Sequence, residues 1–285
     1  MKLVTYQSEL GPRVAGVRQG EYVDLHQADA NLPHDMLDLL RQGPAALKLA
    51  SLALNRGTAL PQTPQLLAPV LKPEKVFCIG LNYADHAKES GQEPPPEPVV
   101  FNKFPSVIIG PEANIVLPKL SQKVDYEAEL VVVIGTGGRH IAEADAMRHV
   151  AGYTCGHDVS ARDWQLQKPG GQWLLGKTFD TFAPLGPFLV TADEVPHPGQ
   201  LRIQFRLNGQ TLQNSNTSQL IFSIPRLISY LSGIVPLAPG DLIFTGTPPG
   251  VGGARKPPIY LKAGDVAEVE IESLGILKNP IIDEK

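Results

Sequence analysis

Long apolar runs are absent from this sequence of 285 residues, which argues against a membrane-spanning protein. The longest apolar stretches, such as ELVVVIG and GDLIFTG, are far shorter than the roughly 20 residues that a transmembrane helix needs. The N-terminal segment MKLVTYQSEL also lacks the apolar core of a secretory signal peptide. We therefore expect a cytoplasmic protein that does not enter a membrane.

An excess of basic residues is missing too, and cysteine is scarce. Lysine and arginine number 25 against 29 acidic residues, so the net charge of -4 provides no basic face for nucleic acid. Cys78 and Cys155 lie inside apolar runs without CxxC or Cys/His spacing, which favours buried reduced thiols over a disulfide or a thiolate site. The expected partners are small molecules and further copies of the chain.

The first part of the chain has the pattern of a small α/β unit. MKLVTY, RVAGVRQ and EYVDL are short strand-like pieces, and MLDLLRQG and AALKLASLALNRG show helical spacing and end in glycine. The proline-bearing segment LPQTPQLLAPVLKPEK follows without strong periodicity. We therefore predict a small N-terminal domain over residues 1–70 and a larger second domain over residues 71–285.

Short β-rich runs separated by glycine and proline turns dominate the chain after residue 75. Only two helices are convincing there, around EADAMRHV and SIPRLISYLSG. Because strands and helices do not alternate regularly, we predict an α+β fold, a roll built from mixed β-sheets.

The stretch VDYEAELVVVIG places three acids at the start of a strand-like apolar segment. Asp125, Glu127 and Glu129 are spaced two apart, so a strand would carry all three carboxylates on one face. Such a cluster requires solvent, protonation or a cation. A polar strand start in water is the plain alternative. Asp158 would add a further oxygen ligand suited to Mg²⁺ or Mn²⁺, whereas His157 would point to the opposite face and pack.

Three further segments carry residues that can do chemistry. In GLNYADHAKES, His86 and Glu89 are neighbours on a helix, where Glu89 could orient the imidazole as a base, although such pairs also decorate surfaces. Lys177 lies in apolar company and either extends to solvent or stabilises an oxyanion. The segment PGDLIFTGTPPGVG lacks the ending of a phosphate loop, so it either binds a carboxylate or simply turns.

In combination and in this order, five segments resemble the fumarylacetoacetate hydrolase family. They are GLNYADH, VDYEAELVVVIG, HDVSARDWQ, GKTFDTFAPLGP and GDLIFTGTPPGVG, and the likeness runs from about Lys72 to the C-terminus. MKLVTY with YVDL looks like the N-terminal domain of mammalian domain-containing homologues, which are mitochondrial. This chain lacks a presequence, so the cytoplasmic expectation is kept.

The resemblance implies a role for each matching residue. It implies a homodimer and a divalent metal ion, with Asp125 outside the ligand set. The implied metal ligands are Glu127, Glu129 and Asp158; the implied catalytic residues are His86, Glu89 and Lys177; and the implied substrate-binding residues are Arg162, Gln165 and Thr247.

The expected reaction is metal-dependent hydrolysis of a C–C bond in a 2,4-dioxo acid of the acylpyruvate or fumarylpyruvate type, through a metal-chelated enolate. The founding hydrolase uses an aspartate upstream of its histidine, and here FCIGLNYADH offers only Asp85. The resemblance is therefore closer to the acylpyruvase and oxaloacetate decarboxylase branch. The alternatives are an oxaloacetate decarboxylase or keto-enol tautomerase, and a non-catalytic metal- or ligand-binding module. The part of the substrate beyond C4 would contact a lid at KESGQEPPPEP, and the sequence of this lid does not indicate which substrate group it binds.

Overall fold

The computed structural model describes residues 1–89, 91 and 93–285, and β-sheets dominate this part of the chain. Ser90 and Gln92, which belong to the expected lid, lie outside the described residues. The strands are β1 (Lys2–Ser8), β2 (Gly11–Arg18), β3 (Glu21–Asp24), β4 (Leu66–Leu67), β5 (Val76–Gly80), β6 (Val99–Asn102), β7 (Ile108–Ile109), β8 (Ile115–Leu117), β9 (Val124–Asp125), β10 (Ala128–Ile134), β11 (Val150–His157), β12 (Ser160–Ala161), β13 (Ala183–Thr191), β14 (Arg202–Leu207), β15 (Gln210–Asn216), β16 (Leu242–Phe244), β17 (Val266–Ile271) and β18 (Gly275–Asp283). The α-helices are α1 (Leu25–Ala28), α2 (Met36–Arg41), α3 (Gly43–Arg56), α4 (Ala84–Glu89), α5 (Arg162–Gln167), α6 (Leu174–Lys177) and α7 (Ile224–Ile234).

Strand β10 lies near the centre of the main sheet, whose order is β3-β2-β1-β13-β11-β10-β16-β5-β6. Every residue of β10 is buried, as expected for a continuous apolar run covered on both faces. Leu130, Val132 and Ile134 point into one hydrophobic core, whereas Val131 and Val133 point into a second core on the opposite face. Alternate side chains of β10 therefore contribute to both hydrophobic cores.

Helices from the start of the chain cover one face of the main sheet. Leu39 of α2 and Ala50 of α3 belong to the same core as Val131 and Val133 of β10. Asp35 caps the N-terminus of helix α2, where its carboxylate accepts hydrogen bonds from the backbone N–H groups of the first turn. The N-terminal segment is thus packed on the sheet that carries β10.

The opposite face packs against a five-stranded sheet of order β15-β14-β17-β18-β8. Phe205 of β14 and Val269 of β17 share a core with Val132 of β10. Helix α7 adds the apolar stripe that includes Leu227 and Leu231, which follows the helical spacing of its sequence. The result is a helix layer, a mixed sheet and a second sheet.

The structure confirms the predicted α+β fold with mixed sheets. The prediction of only two helices after residue 75 was wrong, because α4, α5 and α6 are also helical and Glu143–His149 is a 3₁₀ helix. Strand β1 pairs with β13, through Lys2 opposite Val190, so the main sheet extends across residue 70. The division into domains at that residue stays a prediction.

Candidate active site

The acidic residues lie where the pairing of two neighbouring strands is interrupted. Strands β10 and β11 pair up to Ala128 and His157, and the short strands β9 and β12 pair again beyond this point. In the gap, the backbone N–H of Asp158 donates to the carbonyl of Glu127 at 2.9 Å. The strand expected to carry the acids is therefore broken just before Ala128, and Glu127 and Asp158 lie side by side in the break.

Three carboxylates converge at this break. Glu127, Glu129 and Asp158 each offer an oxygen, these oxygens all lie within 4.8 Å of one another, and all three residues are buried. Burial raises the pKa of Glu129 well above its usual value, and the charges of Asp158 and Glu127 raise it further. The backbone N–H of Gly246 donates to Glu129 Oε2 at 2.8 Å.

This donor set fits a hard divalent cation. The oxygens are carboxylate oxygens, which Mg²⁺ and Mn²⁺ prefer. Three buried carboxylates this close together repel one another, and the pKa of Glu129 is raised for that reason as well as by burial. A divalent cation between them would remove this repulsion. The cluster could therefore hold the metal ion that the sequence predicts.

Lysines partly neutralise the cluster from inside the protein. Lys177 Nζ, at the end of α6, donates to Glu127 Oε2 at 2.8 Å and to Asp158 Oδ2 at 3.0 Å. Burial alone would lower the pKa of Lys177, but the charges of Asp158 and Glu127 raise it above its usual value. Lys177 is therefore an ammonium that donates into the carboxylate cluster, and it does not extend to solvent.

A second lysine, Lys103, lies beneath the cluster and has no signal in the sequence. Its Nζ is 2.7 Å from Asp158 Oδ1, in an ion pair without hydrogen-bond geometry. The same amino group donates to the carbonyls of Val159 at 3.0 Å and Phe182 at 2.8 Å, and also to that of Lys177. Lys103 thus ties Asp158 to the backbone on either side of the site.

Arg162 connects the cluster to Asp125. The guanidinium lies 2.7 Å from Asp125 Oδ2 through Nε and 2.6 Å from Glu127 Oε1, and it donates to Gln165 Oε1 at 2.8 Å. These contacts hold the pKa of Glu127 below its usual range despite burial, with Lys177 contributing most and Arg162 next. Two of the three predicted substrate-binding residues, Arg162 and Gln165, therefore contact each other beside Glu127.

Asp125 lies outside the three-carboxylate cluster and fastens the loop after β16. Its two carboxylate oxygens accept hydrogen bonds from the backbone N–H groups of Gly252 at 2.7 Å and Gly253 at 2.8 Å. A Cβ atom at Gly252 would lie 1.8 Å from the carbonyl oxygen of Ile259 and 2.6 Å from Asp125 Oδ1. Only glycine allows this close approach of the loop.

The predicted catalytic pair lies on α4 and is attached to the same loop. His86 Nδ1 is 3.2 Å from Glu89 Oε2, and the backbone N–H of Gly250 lies 3.1 and 3.0 Å from the two oxygens of Glu89. Thr247, earlier in the loop, donates to the carbonyl of Ala128 at 3.0 Å. The loop after β16 therefore approaches both the helix of the acid–base pair and the strand of the carboxylates.

A cavity of about 460 Å³ brings the predicted residues together. Phe101 and Trp173 form an apolar part of its lining, in edge contact at 5.3 Å between ring centroids. Asp158 does not line the cavity but contacts Lys177, which does. His157 is buried against Phe205, with the ring centroids 5.2 Å apart. The predicted residues in the lining are His86, Glu89, Glu127, Glu129, Arg162, Gln165, Lys177 and Thr247.

The site, in the cavity and beneath it, also contains residues that sequence reasoning missed. Lys123 and Tyr260 are part of the lining, and each lies beside a strand or loop without a distinctive motif. Lys103 stands after β6 in FNKF, where nothing in the sequence distinguishes a buried lysine from an exposed one. These three residues have no signal that spacing alone could reveal.

The sequence and the fold both match one known family of enzymes. The sequence model described as fumarylacetoacetate (FAA) hydrolase C-terminal matches residues 75–282. The chain belongs to the fumarylacetoacetate hydrolase family, as its five motifs predict.

Curated relatives match over nearly the whole chain. Oxaloacetate tautomerase FAHD2A, mitochondrial, from Homo sapiens is 50% identical over 291 residues, which cover 99% of this chain and 92% of the relative. Oxaloacetate tautomerase fahd2, mitochondrial, from Xenopus laevis is 51% identical over 288 residues, with 99% and 90% covered. The expected cytoplasmic location is wrong on this comparison, because these relatives are named mitochondrial. In the described residues, no helix has the length and apolar character needed to cross a membrane.

Solved structures of enzymes share the fold. A fumarylacetoacetate hydrolase from Exiguobacterium antarcticum is 35% identical with a TM-score of 0.88, and both chains are covered completely. Maleylpyruvate hydrolase from Sphingobium sp. SYK-6, in complex with manganese(II) and pyruvate, is 29% identical with a TM-score of 0.84, again over both whole chains. The family to which this chain belongs is thus a family of enzymes, and one of its relatives binds manganese.

Proposed function

We propose that this chain interconverts the keto and enol forms of oxaloacetate with Mg²⁺ or Mn²⁺ as cofactor. The observation that carries the proposal is that one cavity is lined by both the His86–Glu89 pair and two of the three clustered carboxylates. The full-length relatives named oxaloacetate tautomerases support the choice of reaction.

The residues that would hold the cation are Glu127, Glu129 and Asp158. When bound, a divalent cation supplies Lewis-acid polarisation of the keto and carboxylate oxygens of a 2-oxo acid. Arg162 and Lys177 position Glu127 through the ion pairs at 2.6 and 2.8 Å.

Tautomerisation moves one proton and consumes no other reactant. In the keto-to-enol direction a proton leaves C3, the C2–C3 double bond forms, and a proton arrives on the C2 oxygen. We propose that His86 removes the proton from C3. Glu89 faces its Nδ1 at 3.2 Å, which leaves Nε2 free to act as the base. Lys177 supplies the ammonium that donates a hydrogen bond where negative charge develops on the C2 oxygen.

The substrate-binding roles of Arg162, Gln165 and Thr247 are also proposals. Arg162 uses three of its five donors within the protein, so the others remain for a carboxylate. Gln165 accepts a hydrogen bond that orients Arg162, and both residues line the cavity. Thr247 donates to the backbone of β10 and accepts from Gln213 at 2.9 Å, so its hydroxyl is fixed at the edge of the cavity.

Hydrolysis of a 2,4-dioxo acid is the second candidate. It is supported by the likeness to maleylpyruvate hydrolase, whose solved structure holds manganese and pyruvate. The same His86–Glu89 pair would then take a proton from water, and attack at C4 would release pyruvate by breaking the C3–C4 bond.

The test compares three reactions in the purified protein with Mg²⁺ or Mn²⁺. Loss of the enol absorbance of oxaloacetate measures tautomerisation, release of pyruvate from an acylpyruvate measures hydrolysis, and release of CO₂ from oxaloacetate measures decarboxylation. We expect tautomerisation to be much faster than hydrolysis or decarboxylation. Rapid acylpyruvate cleavage without catalysed tautomerisation would replace the first proposal with the second.

His86→Ala tests the assigned base. Loss of a general base typically costs about 100- to 10,000-fold in rate, and His86 is not a proposed ligand, so Mn²⁺ affinity should be unchanged. His197→Ala, at an exposed histidine outside the cavity, is the matched control and should keep the wild-type rate. Tautomerisation at the wild-type rate in His86→Ala would remove His86 from the mechanism.

A further inference from the structure

The cationic side chains that line the cavity differ in whether a carboxylate already neutralises them. Arg162 forms ion pairs with Asp125 and Glu127, and Lys177 forms ion pairs with Glu127 and Asp158. Lys123 has no ion pair with any carboxylate in residues 1–89, 91 and 93–285. It is thus the cavity lysine whose charge is available to a ligand.

Backbone contacts fix the position of Lys123 at the same side of the cavity as Arg162. Its carbonyl accepts from the backbone N–H of Arg162 at 2.9 Å, and Val124 accepts from that of Leu261, also at 2.9 Å. Tyr260 therefore lies on the neighbouring segment, and it too lines the cavity. Burial and the nearby charge of Asp125 raise the pKa of Tyr260, so its hydroxyl stays a donor.

A second negative charge on a ligand needs a partner of this kind. The 2-oxo carboxylate of a substrate belongs at the carboxylate cluster and its cation. A further carboxylate would find no countercharge on the apolar part of the lining, formed by Ile79, Phe101 and Trp173. Glu89, also in the lining, repels it. Arg162 is already paired with two carboxylates and lies beside the cluster, where it can bind the 2-oxo carboxylate. Lys123, which has no carboxylate partner in the described residues, can receive the second one.

We propose that Lys123, with Tyr260 beside it, binds the distal carboxylate and so selects 2-oxo acids that carry a second carboxylate. The inference rests on the proposed function, because it places the 2-oxo group at the carboxylate cluster. Lys123 is a specificity residue, and it takes no part in moving the proton.

The test compares Lys123→Met with wild type on oxaloacetate and on pyruvate, which has the 2-oxo group but no second carboxylate. Binding of each compound is measured by calorimetry in the presence of Mn²⁺, and kcat and KM are measured for oxaloacetate. Loss of one charge-assisted hydrogen bond predicts a roughly 10- to 100-fold weaker oxaloacetate affinity. Pyruvate affinity, Mn²⁺ affinity and kcat at saturation should stay at wild-type values.

Two further variants separate charge from structure. Lys123→Arg keeps the charge and should recover most of the oxaloacetate affinity. Lys119→Met makes the same charge change at an exposed lysine outside the cavity, so it should behave as wild type. Equal weakening of oxaloacetate and pyruvate in Lys123→Met, or no weakening of either, would overturn the inference.

The binding test of Lys123 can be decided separately from the test of the proposed tautomerisation. Suppose that wild type binds oxaloacetate without tautomerising it, and that Lys123→Met binds oxaloacetate more weakly but pyruvate equally well. The proposed function then fails and the role of Lys123 stands. If tautomerisation is catalysed and Lys123→Met is as active as wild type at low oxaloacetate concentration, the role of Lys123 fails alone.

Discussion

Replacing Lys103 by methionine should destabilise the protein strongly, although Lys103 is not assigned a part in the chemistry. Its side chain is fully buried, and its amino group is 2.7 Å from Asp158 and donates to the carbonyls of three residues. Methionine fills much of the volume but leaves Asp158 without this countercharge and the carbonyls without their donor. Breaking a buried ion pair by removing one partner costs about 3 to 5 kcal/mol. We expect a loss of that size in the free energy of unfolding.

Urea unfolding with EDTA present provides the measurement. Lys48→Met, at an exposed lysine on α3, is the control and should change the free energy of unfolding by less than about 0.5 kcal/mol. Mn²⁺ should raise the free energy of unfolding of both wild type and Lys103→Met, since a cation that binds only the folded state adds about 2.7 kcal/mol at 100 times its dissociation constant. A difference from wild type below about 1 kcal/mol in EDTA would refute the assigned role of Lys103.

Three other expectations concern separate parts of the molecule. Glu127→Gln should abolish Mn²⁺ binding in calorimetry and with it turnover; wild-type affinity would contradict the ligand assignment. Burial alone would raise the pKa of Asp24, but hydrogen bonds from Arg13, Tyr6 and the Gln27 N–H lower it, so Asp24 stabilises the folded state above its unfolded pKa of about 3.9. This contribution is lost as pH falls through the folded pKa, so the urea midpoints of wild type and Asp24→Asn should converge at low pH; a constant difference would contradict it. Light scattering at micromolar concentration should give the mass of a homodimer, and a monomeric mass would exclude it.

The sequence could predict those features that depend on spacing along the chain. The apolar run of β10, the Glu127–Glu129 spacing and the i,i+3 relation of His86 and Glu89 are local patterns, and the structure places these four acidic and basic residues around one cavity. The fold class follows from the same kind of pattern, namely β-rich runs without regular helical alternation.

Other features depend on pairing between distant segments and have no local signature. Strand β13 contains Pro184, Gly186 and Pro187, which disfavour a strand locally, yet its neighbours β1 and β11 supply hydrogen-bonding partners on both sides. Alternation continues through VDYEAEL, so the break between β9 and β10 was invisible in the sequence. Burial of Lys103 is likewise decided by segments far away in the chain.

The pairing of β1 with β13 affects how the chain can be made and divided. Strand β1 pairs with β2 on one edge, whereas on its other edge Leu3 lies opposite Leu189, so this second edge waits for its partner until β13 has left the ribosome. Such non-local pairing is slow to form, and an unpaired apolar strand edge is meanwhile open to other chains. A fragment that starts at residue 71 would have the same exposure permanently, since Leu189 and Val190 would lie at a bare edge. The N-terminal segment therefore covers a strand edge of the sheet that carries the site.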